Sequence, residues 1–339
     1  MSEFENGKRE PSLSQLQQLA EIYRRSISFF LDDGPVVPEP TVLWRVRPGR
    51  GAEQVEVQFL RLCEQYHNLE MWCDERASIC LPQATGNAAR YGCIEAEELA
   101  KRVRRELQLG DRPGLCLLAI LEEVCGAKIV HLEFEPFDTA ASVISDTFGV
   151  AILLNARNAR WRRNHDLAHE LFHVLTWQIF HPTADAALIA SDAEENLATY
   201  FARHLLMPTD PFRTAIHSRA RNGRASIESL FDVAREFDVP VELVLQHMHF
   251  LYGQRSDDTE RHRRNIEHAQ ALAQPFENRD APKPHSWPAR YHALAVKALR
   301  RGELSTGRFA EYLNITRQEA MRFVEQETTA DAEISVTLA

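Results

Sequence analysis

His169-Glu170-Leu171-Phe172-His173 places two imidazoles and a carboxylate in a His-Glu-x-x-His spacing. On a helix, His169 and His173 fall at i and i+4 on one face, close enough to share one zinc ion, with Glu170 beside any water activated there. That chemistry suits hydrolysis of an amide bond. A third protein ligand must complete the set. His165 extends the four-residue periodicity, but eight residues of helix rise about 12 Å, whereas zinc–nitrogen bonds are only about 2 Å. The extended pattern with a downstream Gly and His also fails, since Thr176 and Ile179 hold those positions. A carboxylate from a later helix remains. Asp192, Glu194 and Glu195 all stand where the next helix should start. Glu195 shares a stripe with Ala198, Ala202 and Leu205, and Glu194 shares another with Leu197 and Phe201, so periodicity alone leaves the choice open.

The surrounding segments read as the elements such a helix needs. Lys128 to Leu132 and Gly149 to Leu154 have the β-branched content of strands. Glu95 to Leu107 and Gly114 to Val124 read as helices before them. Asp192 to Leu206 and Ser226 to Phe237 read as helices after them, the former stopped by Met207-Pro208. Upstream, Leu13, Leu16, Leu19, Tyr23 and Ile27 recur at helical spacing, with a second short helix expected through Phe29-Phe30-Leu31, and so do Val55, Phe59, Leu62 and Leu69. The fold class expected is α+β, predominantly helical, with a small sheet.

Composition sets the outer limits. The 339 residues, 44% of them hydrophobic, can bury a substantial core. No apolar run approaches membrane-spanning length, and early charges at Glu3, Glu5, Lys8 and Arg9 leave no signal-peptide core, so a cytoplasmic address is expected. The six cysteines are irregularly spaced without a Cys-x-x-Cys pair and read as reduced thiols. A net charge of -10 excludes a surface given over wholly to nucleic acid and restricts any DNA contact to a local basic module.

Arg163 to His173, followed by Glu195-x-x-Ala198-x-x-Phe201-Ala202-x-x-Leu205-Leu206-Met207-Pro208, resembles the ImmA/IrrE family of bacterial zinc metallo-endopeptidases. The resemblance covers roughly residues 93 to 252 and implies a zincin-like core. It makes Glu195 the third zinc ligand beside His169 and His173, with Glu170 catalytic. Two positions depart from the family: Phe172 stands where Gly is usual, raising the prospect of a narrowed cleft, and Thr199 where Asn is frequent. Asp166 and Asp192 are the expected acceptors for the outward ring nitrogens of the two histidines. Arg162 and Arg163 read as solvated residues at the helix start.

Two further resemblances flank this unit. Glu5 to Leu13 and the helix after it resemble the second half of an XRE-type helix-turn-helix. Ala295 to Val324 resembles a small helix-turn-helix, with a turn at Asn314 and a Thr316/Glu319 capping box opening its last helix. The expected organisation is an XRE-like remnant at 1–34, a helical linker region at 35–92, the peptidase unit at 93–254, a polar linker at 255–289, the C-terminal module at 290–326 and an acidic tail at 327–339. The family resemblance implies an intracellular zinc endopeptidase whose partner is an XRE-type repressor in a stress or mobile-element circuit. The C-terminal module carries Arg308, Arg317, Gln318 and Arg322 as residues that could approach DNA, the equal alternative being a three-helix protein-interaction module with solvated arginines. The alternative is a non-catalytic DNA-binding regulator that uses the same fold to sense a metal or ligand.

Overall fold

The computed structural model describes residues 8–23, 40–46, 51–76, 80–136, 139–182, 190–253 and 288–324, with positions 6, 30, 264 and 284. The readings for Phe29 and Leu31, for nearly all of 255–289 and for the tail at 327–339 lie outside these residues.

A four-stranded sheet organises the chain. Its strands are β1 (Leu43–Trp44), β2 (Lys128–Leu132), β3 (Ala141–Ser145) and β4 (Gly149–Asn155), in the order β1-β3-β4-β2. β2 runs parallel to β4, with Ile129 opposite Ile152, while β3 is antiparallel to β4 and pairs with β1 through Leu43 opposite Ser142. β4 is central, and its Val150-Ala151-Ile152-Leu153-Leu154 run is apolar without alternation because both faces are covered. Ile129, Val150, Ile152 and Leu154 face the main helical layer. Val130, Leu132, Val143, Ala151 and Leu153 face Phe59, Leu60, Leu62 and Cys63 of a helix on the other side.

Around the sheet stand α1 (Leu13–Tyr23), α2 (Ala52–Trp72), α3 (Cys93–Glu106), α4 (Arg160–Phe180), α5 (Asp192–Leu206), α6 (Thr209–Arg219), α7 (Ile227–Phe237), α8 (Val241–Tyr252), α9 (Ala289–Arg300) and α10 (Thr306–Leu313). α4 packs on β3 and β4, α5 packs on α4, and α3 packs on α5. From Asn164 to Thr176 every residue of α4 is buried. A helix enclosed on all sides ordinarily shows apolar residues all round, so polar side chains at His165, Asp166, His169, Glu170 and His173 mark a site rather than a surface. The stretch expected as one helix at Gly114 to Val124 is broken into a 3₁₀ turn at Pro113–Leu115, a single α turn at Leu117–Ala119 and a π turn at Ile120–Val124. A Cβ on Gly114 would lie 2.6 Å from the carbonyl oxygen of Phe237, so the backbone of this stretch abuts the end of α7. Among the described residues no helix is long and apolar enough to cross a membrane.

α2 bridges two cores. Its first half lies on the sheet, and Tyr66 and Leu69 in its second half, with Cys73 just past its end, pack with Tyr291, Leu294, Phe309 and Leu313 of the C-terminal helices. At this junction Lys128 of β2 donates to Glu70 of α2 at 2.8 Å, and Arg290 of α9 forms an ion pair with the same carboxyl group. Glu122 is buried beside them, with the Tyr66 hydroxyl 3.4 Å from its Oε1, and burial together with the charge of Glu123 pushes it up to about 7. The folded chain therefore holds this proton through a window, from the ordinary carboxylate range to about 7, in which the unfolded chain has released it. The stability it contributes is present below that window and is lost as pH rises through it. Glu122→Gln should remove this slope: urea unfolding at alkaline pH should find the variant more stable than the parent by about 1–3 kcal/mol, with the difference shrinking at acidic pH. An equal difference at both pH values would show that Glu122 is not the titrating group.

Candidate metal centre

α4 begins after Ala159 without a side-chain cap, and its four-residue spacing sets the His169 and His173 rings 5.1 Å apart, centroid to centroid. α5 begins after Ser191, whose hydroxyl accepts from the Glu194 amide at 3.2 Å, and this cap fixes the first turn that carries Glu194 and Glu195. Consecutive residues on a helix diverge by about 100°, so the two carboxylates have separate destinations. Glu195 reaches between the histidines, its Oε2 3.0 Å from His169 Nε2 and its Oε1 3.4 Å from His173 Nε2. Glu194 passes to the other side of His173, where its Oε1 lies 2.8 Å from Nδ1 and 3.0 Å from His181 Nε2. The structure thus separates two residues that periodicity leaves equivalent.

One ligand atom from each of His169, His173 and Glu195 lies within 4.8 Å of the others, the only such group of three found among the described residues. His173 Nε2 and Glu195 Oε1 are buried and make no hydrogen bond, as are both oxygens of Glu170. Orphaned donors and acceptors of this kind are costly unless something else engages them. Two imidazole nitrogens, ligating as neutral rings, and a carboxylate are a donor set that fits a divalent cation.

The electrostatics agree. Burial pulls His169 down to about 3, so its ring is neutral and free to ligate. Burial also opposes charge on His173, but the Glu194 carboxylate hydrogen-bonded to it and the nearby Glu195 and Glu170 carboxylates outweigh burial and carry the group up to about 10. Glu195 is raised by burial and lowered more by the two histidines, settling at about 2. A pocket that holds a positive charge between two carboxylates is built for a cation. Glu170 is fully buried, and desolvation pushes it up to about 7.

The outward ring nitrogens are not held as the sequence suggests. Asp192 is exposed, and Asp166 accepts from Asn158 at 3.1 Å while facing Arg45 and Arg162. Glu194 takes the place at His173, and Thr199 Oγ1, 3.4 Å from His169 Nδ1, takes the other. Thr199 stands at the position where the family resemblance has Asn. Arg162 and Arg163 are only half exposed, and Arg163 donates to the Asn158 carbonyl at 2.5 Å. Phe172 does not line the cleft; it is wholly buried among Tyr91, Phe180 and Phe201. Tyr200 points its hydroxyl to Glu97, 3.3 Å away, and its ring lies tilted against His204, 4.4 Å between centroids.

Two residues of the site escape sequence reasoning. His181 stands beside Pro182 at the end of α4 and carries no spacing signal. Arg45 follows the two-residue strand β1, more than a hundred positions before the histidines, and its guanidinium comes 3.7 Å from Glu195 and 3.6 Å from Asp166. β1 is bound to the sheet edge partly by Arg45 itself, whose amide donates to the Ala140 carbonyl at 3.3 Å.

No curated protein matches the chain. Residues 122–249 match the peptidase M78 family model, described as the IrrE N-terminal-like domain, a segment that runs from the π turn before β2 through most of α8 and holds His169, Glu170, His173, Glu194 and Glu195. The segment bearing this centre is therefore similar to the IrrE N-terminal-like domain of the peptidase M78 family.

Proposed function

We propose that the chain is an intracellular zinc endopeptidase in which His169, His173 and Glu195 hold the metal and Glu170 is the general base. The observation that carries this reading is the convergence of the three ligand atoms within 4.8 Å beside a buried carboxylate with no hydrogen-bond partner. When bound, zinc supplies Lewis acidity, polarising the scissile carbonyl and acidifying the attacking water. Glu170 takes the water's proton and delivers it to the amine nitrogen as the peptide bond breaks. Glu194 fixes the tautomer and tilt of His173 by accepting from its Nδ1–H, and Thr199 orients His169. The substrate that fits the family resemblance is a partner repressor of the XRE type, cut within a regulatory circuit.

Metal content tests the ligand set directly. Protein purified without added metal should carry about one zinc per chain. Glu195→Ala should lose it. Glu194→Ala should keep it with about 10- to 100-fold weaker affinity against a chelator, as expected when a residue that orients a ligand is removed. Zinc retained after Glu195→Ala, or no metal in the parent, would overturn the assignment.

A further inference from the structure

We propose that the C-terminal helices bind double-stranded DNA, with the face of helix 317–324 bearing Arg317, Gln318, Met321 and Arg322 entering the major groove. This goes beyond peptide hydrolysis and does not depend on it. The geometry is that of a helix-turn-helix. α10 ends at Asn314, held in the left-handed region at φ 50, and the Ile315 amide returns to the Ala310 carbonyl at 3.0 Å to close the turn. Thr316 then caps the next helix reciprocally. Its amide and hydroxyl donate to Glu319 at 2.8 and 2.7 Å, and the Glu319 amide donates back to Thr316 Oγ1 at 3.2 Å. Phe309, Ala310, Leu313 and Ala320 form the buried seam between the two helices.

That seam determines what remains outside. Arg317, Gln318, Met321 and Arg322 are all exposed, and Met321 keeps 52% of its surface accessible. They sit at i, i+1, i+4 and i+5, one continuous strip of helix. The acidic residue on the same helix, Glu319, is engaged by the cap. Between 288 and 324 the chain carries seven Lys and Arg against three Glu, within a protein of net charge -10. Three of these cations, Arg290, Lys297 and Arg301, pair with Glu70, Glu75 and Asp74 at the α2 junction, while Arg317 and Arg322 stand on an exposed helix that fits a groove about 12 Å wide. Arginine and glutamine on such a strip offer bidentate donors to guanine and paired donor–acceptor contacts to adenine. The flank is supplied by Arg308 at the start of α10 and Arg300 at the end of α9, both exposed. α2 holds the module in place from its own core, with Trp72 stacked on Tyr312 and Arg61 paired to Glu311 at 2.8 Å.

Fluorescence anisotropy of the full chain with a short labelled mixed-sequence DNA duplex tests this. Three to four phosphate contacts would give a slope of log affinity against log salt of about -3 to -4. Arg317→Ala combined with Arg322→Ala should weaken binding at least about tenfold at low salt, with circular dichroism and metal content unchanged. Absence of duplex binding at about 50 mM salt, binding unaltered in the double variant, or tighter binding to single-stranded RNA of equal length would each overturn the proposal, the last in favour of a different nucleic acid.

Discussion

Glu170→Gln is expected to abolish proteolysis while leaving the metal bound and the fold intact. Glutamine keeps the shape of a side chain that is 0% exposed, so packing on β3 and β4 should not change. What is lost is the proton acceptor. General-base catalysis contributes about 10²- to 10⁴-fold, and at this position the same group also returns the proton to the leaving amine, so a loss near the upper end is expected. Stability should be unchanged or higher, because both Glu170 oxygens lack a hydrogen-bond partner and desolvation disfavours their charge. The substrate need not be known. Cells expressing the parent chain should accumulate new protein N-termini that are missing with Glu170→Gln and with Glu195→Ala, read by terminal-peptide mass spectrometry. The two variants separate the roles, since Glu170→Gln alone should retain about one zinc. New termini that persist in the Glu170→Gln variant would sink the catalytic assignment, and their absence even with the parent would favour a regulator that senses metal without cutting.

The histidine helix was readable because its chemistry is local. The two histidines and Glu170 lie within five residues, and helical spacing alone brings them together. The carboxylate of the cluster needed more information, since Glu194 and Glu195 each sit on an apolar stripe and only the packing of α5 on α4 separates them. The supports around the site were hardest to read. Thr199 and Glu194 reach the outward nitrogens because of how α5 is rotated, whereas Asp166, nearest in sequence, turns towards Asn158 and the arginines. Arg45 had no signal at all: a two-residue strand has no periodicity to detect. β2 and β4, with their β-branched apolar runs, were legible for the converse reason.

Phe172 separates a packing role from a gating role, and Phe172→Gly, which installs the residue usual in the family resemblance, should be costly here. The ring is wholly buried, with centroids 6.1 Å from Tyr91, 6.2 Å from Phe180 and 5.6 Å from Phe201, and it meets the edge of His173 at 5.9 Å. Truncating a buried Phe removes about 3–5 kcal/mol, and glycine inside a helix adds about 1 kcal/mol relative to alanine. A total near 4–6 kcal/mol is a large share of the stability of a typical domain. Urea unfolding should show that loss, Phe172→Leu should recover most of it, and metal affinity should fall modestly because the ring that steadies His173 is gone. A residue that merely narrowed the cleft would behave in the opposite way: Phe172→Gly would leave stability intact and speed cleavage. The aromatic cluster argues for the first outcome, because Tyr91 precedes α3, Phe180 ends α4 and Phe201 belongs to α5. Phe172 therefore joins the three segments whose packing sets the distance between the histidines and Glu195, so a change of volume at this position reaches the metal ligands through the backbone rather than through the cleft.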